Sequence, residues 1–390
     1  MKKMTKKIFC FLFLLAAALF FRAPIFAASV STSTDTSVQQ YYKEQYENSG
    51  AAQLPNKLPE DTKKILHELG VDSADQDSIK AVTPQNYFQK IISVFTGKLG
   101  NPLRVFASAI SVVLLCALLE GLKLSFGEKP LGGVVRMVGT LCVCTLFIQP
   151  IVSCISDAAD VLKAASTFLL ACVPVLSGIM VAAGQSASAG AYHMLVTAAG
   201  NVVSSFASFV LVPLMNIFLA LSIVSSISPG INLNGFCSAL NKVIKWIMGL
   251  GMTLFTGLVT MHSVVASSAD TTGIRTAKFV VGSFVPVVGS ALGEALNTVS
   301  SCIKTLKAGV GAFGLLAGLF LFLPILAECV LWILTLTLCS GVSQIFNLDE
   351  ITGLLKASAD VVSTLVAILL CCMAVLIITT VVMLTIGGAV

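Results

Sequence analysis

Between Pro102 and Val390 the chain repeatedly runs for about 20 residues without a charge, the length a helix needs to cross about 30 Å of bilayer hydrocarbon at about 1.5 Å per residue. Over that whole stretch only 12 Lys or Arg and 10 Asp or Glu occur. Composition agrees, with 56% hydrophobic against 11% charged residues, and excludes a water-soluble globule, a disordered chain and a disulfide-rich scaffold. Candidate spans fall at about 103–120, 137–156, 166–184, 195–228, 246–267, 310–339 and 361–386. The expected fold class is therefore all-α, a polytopic membrane protein of about seven transmembrane helices with interfacial or re-entrant segments. Span 166–184 is short and interrupted by Pro174, so a re-entrant hairpin fits it equally well. Span 195–228 is overlong, and Pro213 is placed to kink it.

The N-terminus has a different pattern. Lys2, Lys3, Lys6 and Lys7 precede an uncharged run from Ile8 to Phe21, followed by the small residues Ala27, Ala28 and Ser29. That order reads as a secretory signal peptide over 1–28, with an uncleaved first helix as the alternative; both place residue 29 onward outside the cytoplasm. Residues 29–101 form a polar exported segment in which acids from Asp35 to Asp77 alternate with lysines from Lys43 to Lys98. Ile65, Leu66 and Leu69 lie at helical spacing after Pro59, and Tyr87, Phe88, Ile91, Ile92 and Phe95 share one side of a helix that Pro84 would open. So few large apolar groups cannot build an independent core, so these short helices are expected to dock on partners or on the membrane surface. The domain order is thus 1–28, 29–101 and a membrane domain over 102–390.

Three further stretches, Asn232 to Lys245, Thr272 to Lys307 and Gly341 to Asp360, mix apolar residues with isolated charges and read as interfacial helices. Within 272–307, Gly282, Pro286, Gly289 and Gly293 break an apolar run too short to span, giving either a re-entrant element or a kinked surface helix. With residue 102 outside, seven Lys or Arg fall inside and four outside, the sign that orients membrane proteins. If 166–184 re-enters, every later assignment inverts.

Little points to chemistry. The exported segment has no cysteine, and Cys142 and Cys144 on a helix point about 200° apart, poor geometry for one metal. His67, His193 and His262 form no metal motif, and no phosphate loop or nucleophile elbow occurs, so neither an enzyme nor a cofactor is expected. The net charge of +5 comes largely from the four leading lysines and does not mark a nucleic-acid surface. Polar matter inside apolar runs is more informative. Glu328 sits in GLFLFLPILAECVLWILTL, where a carboxyl costs several kcal/mol unless paired, protonated or wet. It reads either as lining a watery path or as a neutral group bonded to a neighbouring helix. Glu120 and Lys123, three positions apart, suggest an interfacial ion pair. Gly314 and Gly318 lie in GxxxG spacing, which lets helices approach closely in lipid. The candidate path or packing residues are Glu328, Pro286, Gly289, Gly314 and Gly318. Leu-Lys-Ala recurs at 162–164, 306–308 and 355–357, too short to establish an internal repeat.

A signal peptide, a polar exported segment, and a GSFVPVVGSALGEAL element before a glycine-rich span together resemble the stage III sporulation protein AE family of endospore-forming bacteria. The resemblance covers essentially the full length, but its motifs are apolar patterns with Gly and Pro at set places. It implies a subunit of the channel-like complex between mother cell and forespore, in the mother-cell-derived membrane around the forespore. It also implies partners: the other stage III sporulation A proteins, among them ring-forming subunits and an ATPase, and stage II sporulation protein Q. No site residues carry over. The competing reading from the residues alone is a stand-alone secondary transporter of a small solute, with Glu328 and the 280–296 break on its path.

Overall fold

The computed structural model describes the backbone of residues 36–75, 78–79, 82–126, 131–227, 234–284 and 289–385. The chain falls into two compact units, residues 1–41 and 42–390. The described elements lie in the second, apart from the first turns of helix α1. Every one of them is helical. They are α1 (Thr36–Asn48), a 3₁₀ turn (Ala51–Lys57), α2 (Glu60–Glu68), α3 (Pro84–Gly97), α4 (Gly100–Phe126), α5 (Leu131–Ala182), α6 (Ser186–Phe206), α7 (Val212–Ile227), α8 (Asn234–Phe284), α9 (Gly289–Ile345) and α10 (Asp349–Thr385).

The expected spans all lie on these helices, but the helices are longer. Among the described residues, six helical stretches are long and apolar enough to cross a membrane, against the seven expected. The difference arises at 137–156 and 166–184, which lie on one continuous helix, α5, of 52 residues or about 78 Å. Pro150 and Pro174 sit inside it without ending it. A proline removes one backbone donor, and neighbouring helices and local adjustment make that tolerable in apolar bundles. Pro213 acts more strongly: a π turn at Ala207–Leu211 joins α6 to α7 and contains Phe209, four residues earlier, whose carbonyl the ring would crowd. Of the interfacial stretches, the described part of 232–245 opens α8, and 341–360 holds the end of α9, a turn at 346–348 and the start of α10. In 272–307, α8 ends at Phe284 and α9 begins at Gly289. Pro286 between them lies outside the described residues, as does the signal peptide.

Two turns explain how the bundle reverses. Gly184 takes a positive φ of 75°, and the Gln185 N–H donates to the Met180 carbonyl at 2.9 Å, closing the end of α5. Asn347, at φ 54°, does the same between α9 and α10, with the Leu348 N–H donating to the Ser343 carbonyl at 3.1 Å. Asparagine is the residue most tolerant of that conformation after glycine.

Packing registers the helices against one another. Helices α5 and α9 run antiparallel: Phe147 meets Trp332 with ring centroids 6.4 Å apart, Phe168 meets Phe313 at 6.5 Å, and between them the Cys154 and Cys329 thiols touch. Helices α9 and α10 form an antiparallel hairpin in which Gly311, Gly314 and Gly318 lie against Leu384, Thr380 and Leu376. A Cβ on Gly318 would overlap the Leu376 side chain, so the close approach requires glycine there. Phe313, Phe320 and Phe322 are wholly buried in this core. Helix α8 is the outermost, with Trp246, Leu254, Leu258 and Met261 exposed along it.

The polar segment docks on the bundle. Ala51, Leu54, Leu58, Ile65, Leu66, Leu69 and Val71 are buried. Gly50 sits within 3.7 Å of Val175 on α5, measured from a Cβ built on it, and Tyr87 of α3 stacks edge-on against Phe320 of α9 at 5.5 Å. Thr83 caps α3 by accepting from the Asn86 N–H at 3.4 Å, and Pro84 opens it.

Candidate functional site

Two layers of paired charged side chains cross the bundle. The first is built around Glu328. The α5–α9 register puts Asp157 beside Glu328, and the end of α3 brings in Lys98, whose Nζ donates to Glu328 Oε2 at 2.8 Å. Asp157 and Asp61 also lie within electrostatic reach of Lys98. Asp160 and Lys163, one turn further along α5, are 3.7 Å apart. The Lys98 and Glu328 side chains are 47% and 22% exposed, so the pair is half wet. Glu328 thus meets the condition any carboxyl in an apolar run must meet, by pairing with a cation contributed by the polar segment.

The second layer is built around Arg136. Its Nε donates to both carboxylate oxygens of Glu120, at 2.7 and 3.0 Å, and Glu350 stands 3.9 Å from the guanidinium. The Glu120 carboxylate is thus held by Arg136; the side chain of Lys123, its expected partner, lies outside the described residues. A guanidinium offers a planar fork of donors that matches a carboxylate, which an ammonium cannot reproduce. This layer ties the ends of α4, α5 and α10 together.

A third polar contact stands apart. Asp270 of α8 is 8% exposed and accepts from the backbone N–H groups of Ala187 at 2.9 Å and Ser188 at 2.8 Å. Those are orphan donors in the first turn of α6, so a neighbouring helix supplies the cap that Gln185 does not. The carboxylate also faces the positive end of the α6 dipole.

Of the sequence candidates, Glu328 is in the first layer, and Gly314 and Gly318 are at the α9–α10 seam, about 15 Å or more of helix from it. Gly289 opens α9 at its far end. The structure therefore does not bring them into one site. Lys98, Asp157, Arg136 and Asp270 were not singled out from the sequence. Each is an isolated charge beside or inside an apolar run, which is a usable signal, but its partner lies between 16 and 230 positions away where a hydrogen bond is made.

Six long apolar helices, charges gathered in layers and a glycine seam define a polytopic α-helical membrane protein. The model of the Stage III sporulation protein AE family matches residues 71–387, and the chain belongs to that family. It is similar to Stage III sporulation protein AE of Bacillus subtilis (strain 168), 25% identical over 258 residues, which is 66% of this chain and 63% of that relative. The chain thus matches somewhat less than two thirds of the relative's length. No solved structure matches. The family match includes both charged layers, Asp270 and the glycine seam, and begins after most of the docked polar segment.

Proposed function

We propose that the chain is an integral membrane subunit of the channel-like assembly linking mother cell and forespore during endospore formation, acting as a membrane platform or permease-like component. The observation that carries this reading is the family match over residues 71–387. The signal peptide over 1–28 exports residues 29–101, which face the space between the two membranes around the forespore. Energy comes from a partner ATPase, and the ring-forming stage III sporulation A proteins and stage II sporulation protein Q complete the conduit. The docked polar segment supports such a role, because a platform needs a structured extracytoplasmic surface on which ring subunits can assemble.

The stand-alone transporter is the weaker reading. It needs Glu328 as a free group on a solute path, and that carboxylate is held by Lys98 at 2.8 Å. The test is deletion of the gene in its native spore-forming host, complemented by the wild-type chain or by Glu328→Gln, with heat-resistant spores counted. Loss of spores on deletion, with substantial rescue by Glu328→Gln, fits a structural subunit. Normal spore counts after deletion overturn the reading. Solute flux through vesicles holding the purified chain alone, abolished by Glu328→Gln, would favour the transporter.

A further inference from the structure

The long helices pose a problem of dimensions. A bilayer offers about 30 Å of hydrocarbon, whereas α5 alone is 52 residues and about 78 Å long. Much of its length must lie outside lipid. The charged layers divide it. From Arg136 to Asp157 on α5 is 21 residues, about 32 Å, and from Lys98 to Glu120 through α4 is 22 residues, about 33 Å. Glu328 and Glu350 close the same interval on the α9–α10 hairpin. The two layers are therefore one hydrocarbon thickness apart. Between them Leu115, Leu118, Met137, Val138, Leu334 and Leu338 point outward, each at least half exposed.

Beyond the Glu328 layer the helices continue for a similar distance, but there they carry the polar segment. Gly50 beside Val175 and Tyr87 against Phe320 place that segment along this upper half. Its outer surface is ionic, with Glu60, His67, Asp72 and Glu68 side chains 75%, 77%, 63% and 61% exposed.

We propose that the bilayer covers only the lower half of the bundle, between the Arg136 and Glu328 layers, and that the upper half projects out of the membrane with residues 42–97 wrapped along it. The Lys98–Asp157–Glu328 layer is then a collar at head-group height. Glu328 is an interfacial anchor, and the apolar length of α5, α9 and α10 above it is the core of an extramembrane stalk. Asp360 and Lys245 remain within the lipid half and attract one another. Lys356 begins about 10 Å from the start of α10 at Asp349 and carries a stem long enough to reach toward the lower layer, whereas Lys242 follows Asn241, which accepts from Thr364 about 22 Å into α10, so its stem extends toward the Glu328 layer. The opposite placement, with the upper half in lipid, would account for exposed Met194 and Val202 on α6 and for Leu254, Leu258 and Met261 on α8, which lie between Asn241 beside Thr364 and Asp270 at the start of α6. It would also immerse the charged surface of the docked segment in hydrocarbon, where ionised groups are strongly disfavoured.

This inference rests on the reading of the chain as a membrane subunit, and tryptophan quenching in reconstituted vesicles separates the two. Trp246, 68% exposed on α8 and five residues past Asn241, which accepts from Thr364 about 22 Å into α10, reports the Glu328 layer once Trp332 is replaced by Phe. In a Trp246→Phe, Trp332→Phe background, Leu115→Trp and Leu334→Trp probe the lower half, and Met194→Trp and Val181→Trp probe the upper half. The vesicles are phosphatidylcholine with or without brominated acyl chains, and aqueous iodide is the complementary quencher. The lower probes should lose at least half their emission to brominated lipid and resist iodide, and the upper probes should do the reverse. Upper probes quenched by brominated lipid as strongly as the lower probes would overturn the placement. Quenching at none of the four positions would remove the membrane reading itself, and the placement with it.

Discussion

Two glycines one helical turn apart on α9 should respond oppositely to the same change. A Cβ on Gly318 would overlap Leu376 Cδ2 and lie 3.3 Å from its Cγ and Cδ1, and Leu376, 1% exposed, has no free volume to turn into. A Cβ on Gly314 would find its nearest neighbour, Thr380 Cγ2, at 3.4 Å, an ordinary contact. Either Gly→Ala change gains about 1 kcal/mol of helix propensity. Only Gly318→Ala also forces a packed seam apart, at about 1–3 kcal/mol. Since propensity cancels between them, Gly318→Ala should be the less stable variant by about 1–3 kcal/mol, and Gly314→Ala should match or exceed the parent. The assay is thermal unfolding of the detergent-solubilised full chain, followed by emission of buried Trp332, which packs on Phe147 at the α5–α9 interface. At about 2–4 °C per kcal/mol for a domain of some 200 residues, the difference should reach several degrees. Equal midpoints, or a lower midpoint for Gly314→Ala, would refute the α9–α10 register.

The polar contacts give three other expected outcomes. Asp270→Ala frees two amide donors at the start of α6, at a cost of about 1–2 kcal/mol, and hydrogen exchange at Ala187 and Ser188 should accelerate roughly tenfold; unchanged exchange would contradict the cap. A double-mutant cycle on Lys98→Ala and Glu328→Ala should give a coupling of about 0.5–1 kcal/mol, because the pair is half exposed, and strict additivity would show that the two do not interact. The hydrogen bond that His67 donates to the Asp72 carboxylate, and then the charge of that carboxylate, raise the His67 pKa above 6.5. Folded His67 therefore holds its proton more tightly than the unfolded chain, so any stabilisation is present below about pH 6.5 and fades as pH rises through the folded value. NMR of labelled histidines in the full chain should show a midpoint above 6.5 that falls in Asp72→Asn; a midpoint at or below 6.5 in the parent would contradict the contact.

The helices were legible because a 20-residue apolar run has few alternatives, and the small-residue spacing at Gly314 and Gly318 announced a close seam for the same local reason. Their ends were less so. Asp157, Asp160 and Lys163 look like a loop between two spans, yet they continue one helix, in which Asp160 and Lys163 stand 3.7 Å apart and Asp157 faces Lys98, a distant cation that no local pattern reveals. Glu120 shows what neighbour rules leave out: folding adds Arg136, a planar fork that matches a carboxylate, from the next helix. Glu328 stood out as a costly charge, but its partner lies 230 positions earlier in a segment that reads as separate. Asp270 gave still less warning, since its role is to cap a helix whose own first residues offer no such cap.

The central claim is that this chain works as part of an assembly, and a tagged full-length chain pulled from sporulating cells in mild detergent tests it most directly. Mass spectrometry should find the ring-forming stage III sporulation A proteins and the ATPase in the same eluate, in amounts that survive washing. Recovery of the chain alone, under conditions in which a known membrane complex stays intact, would contradict the account.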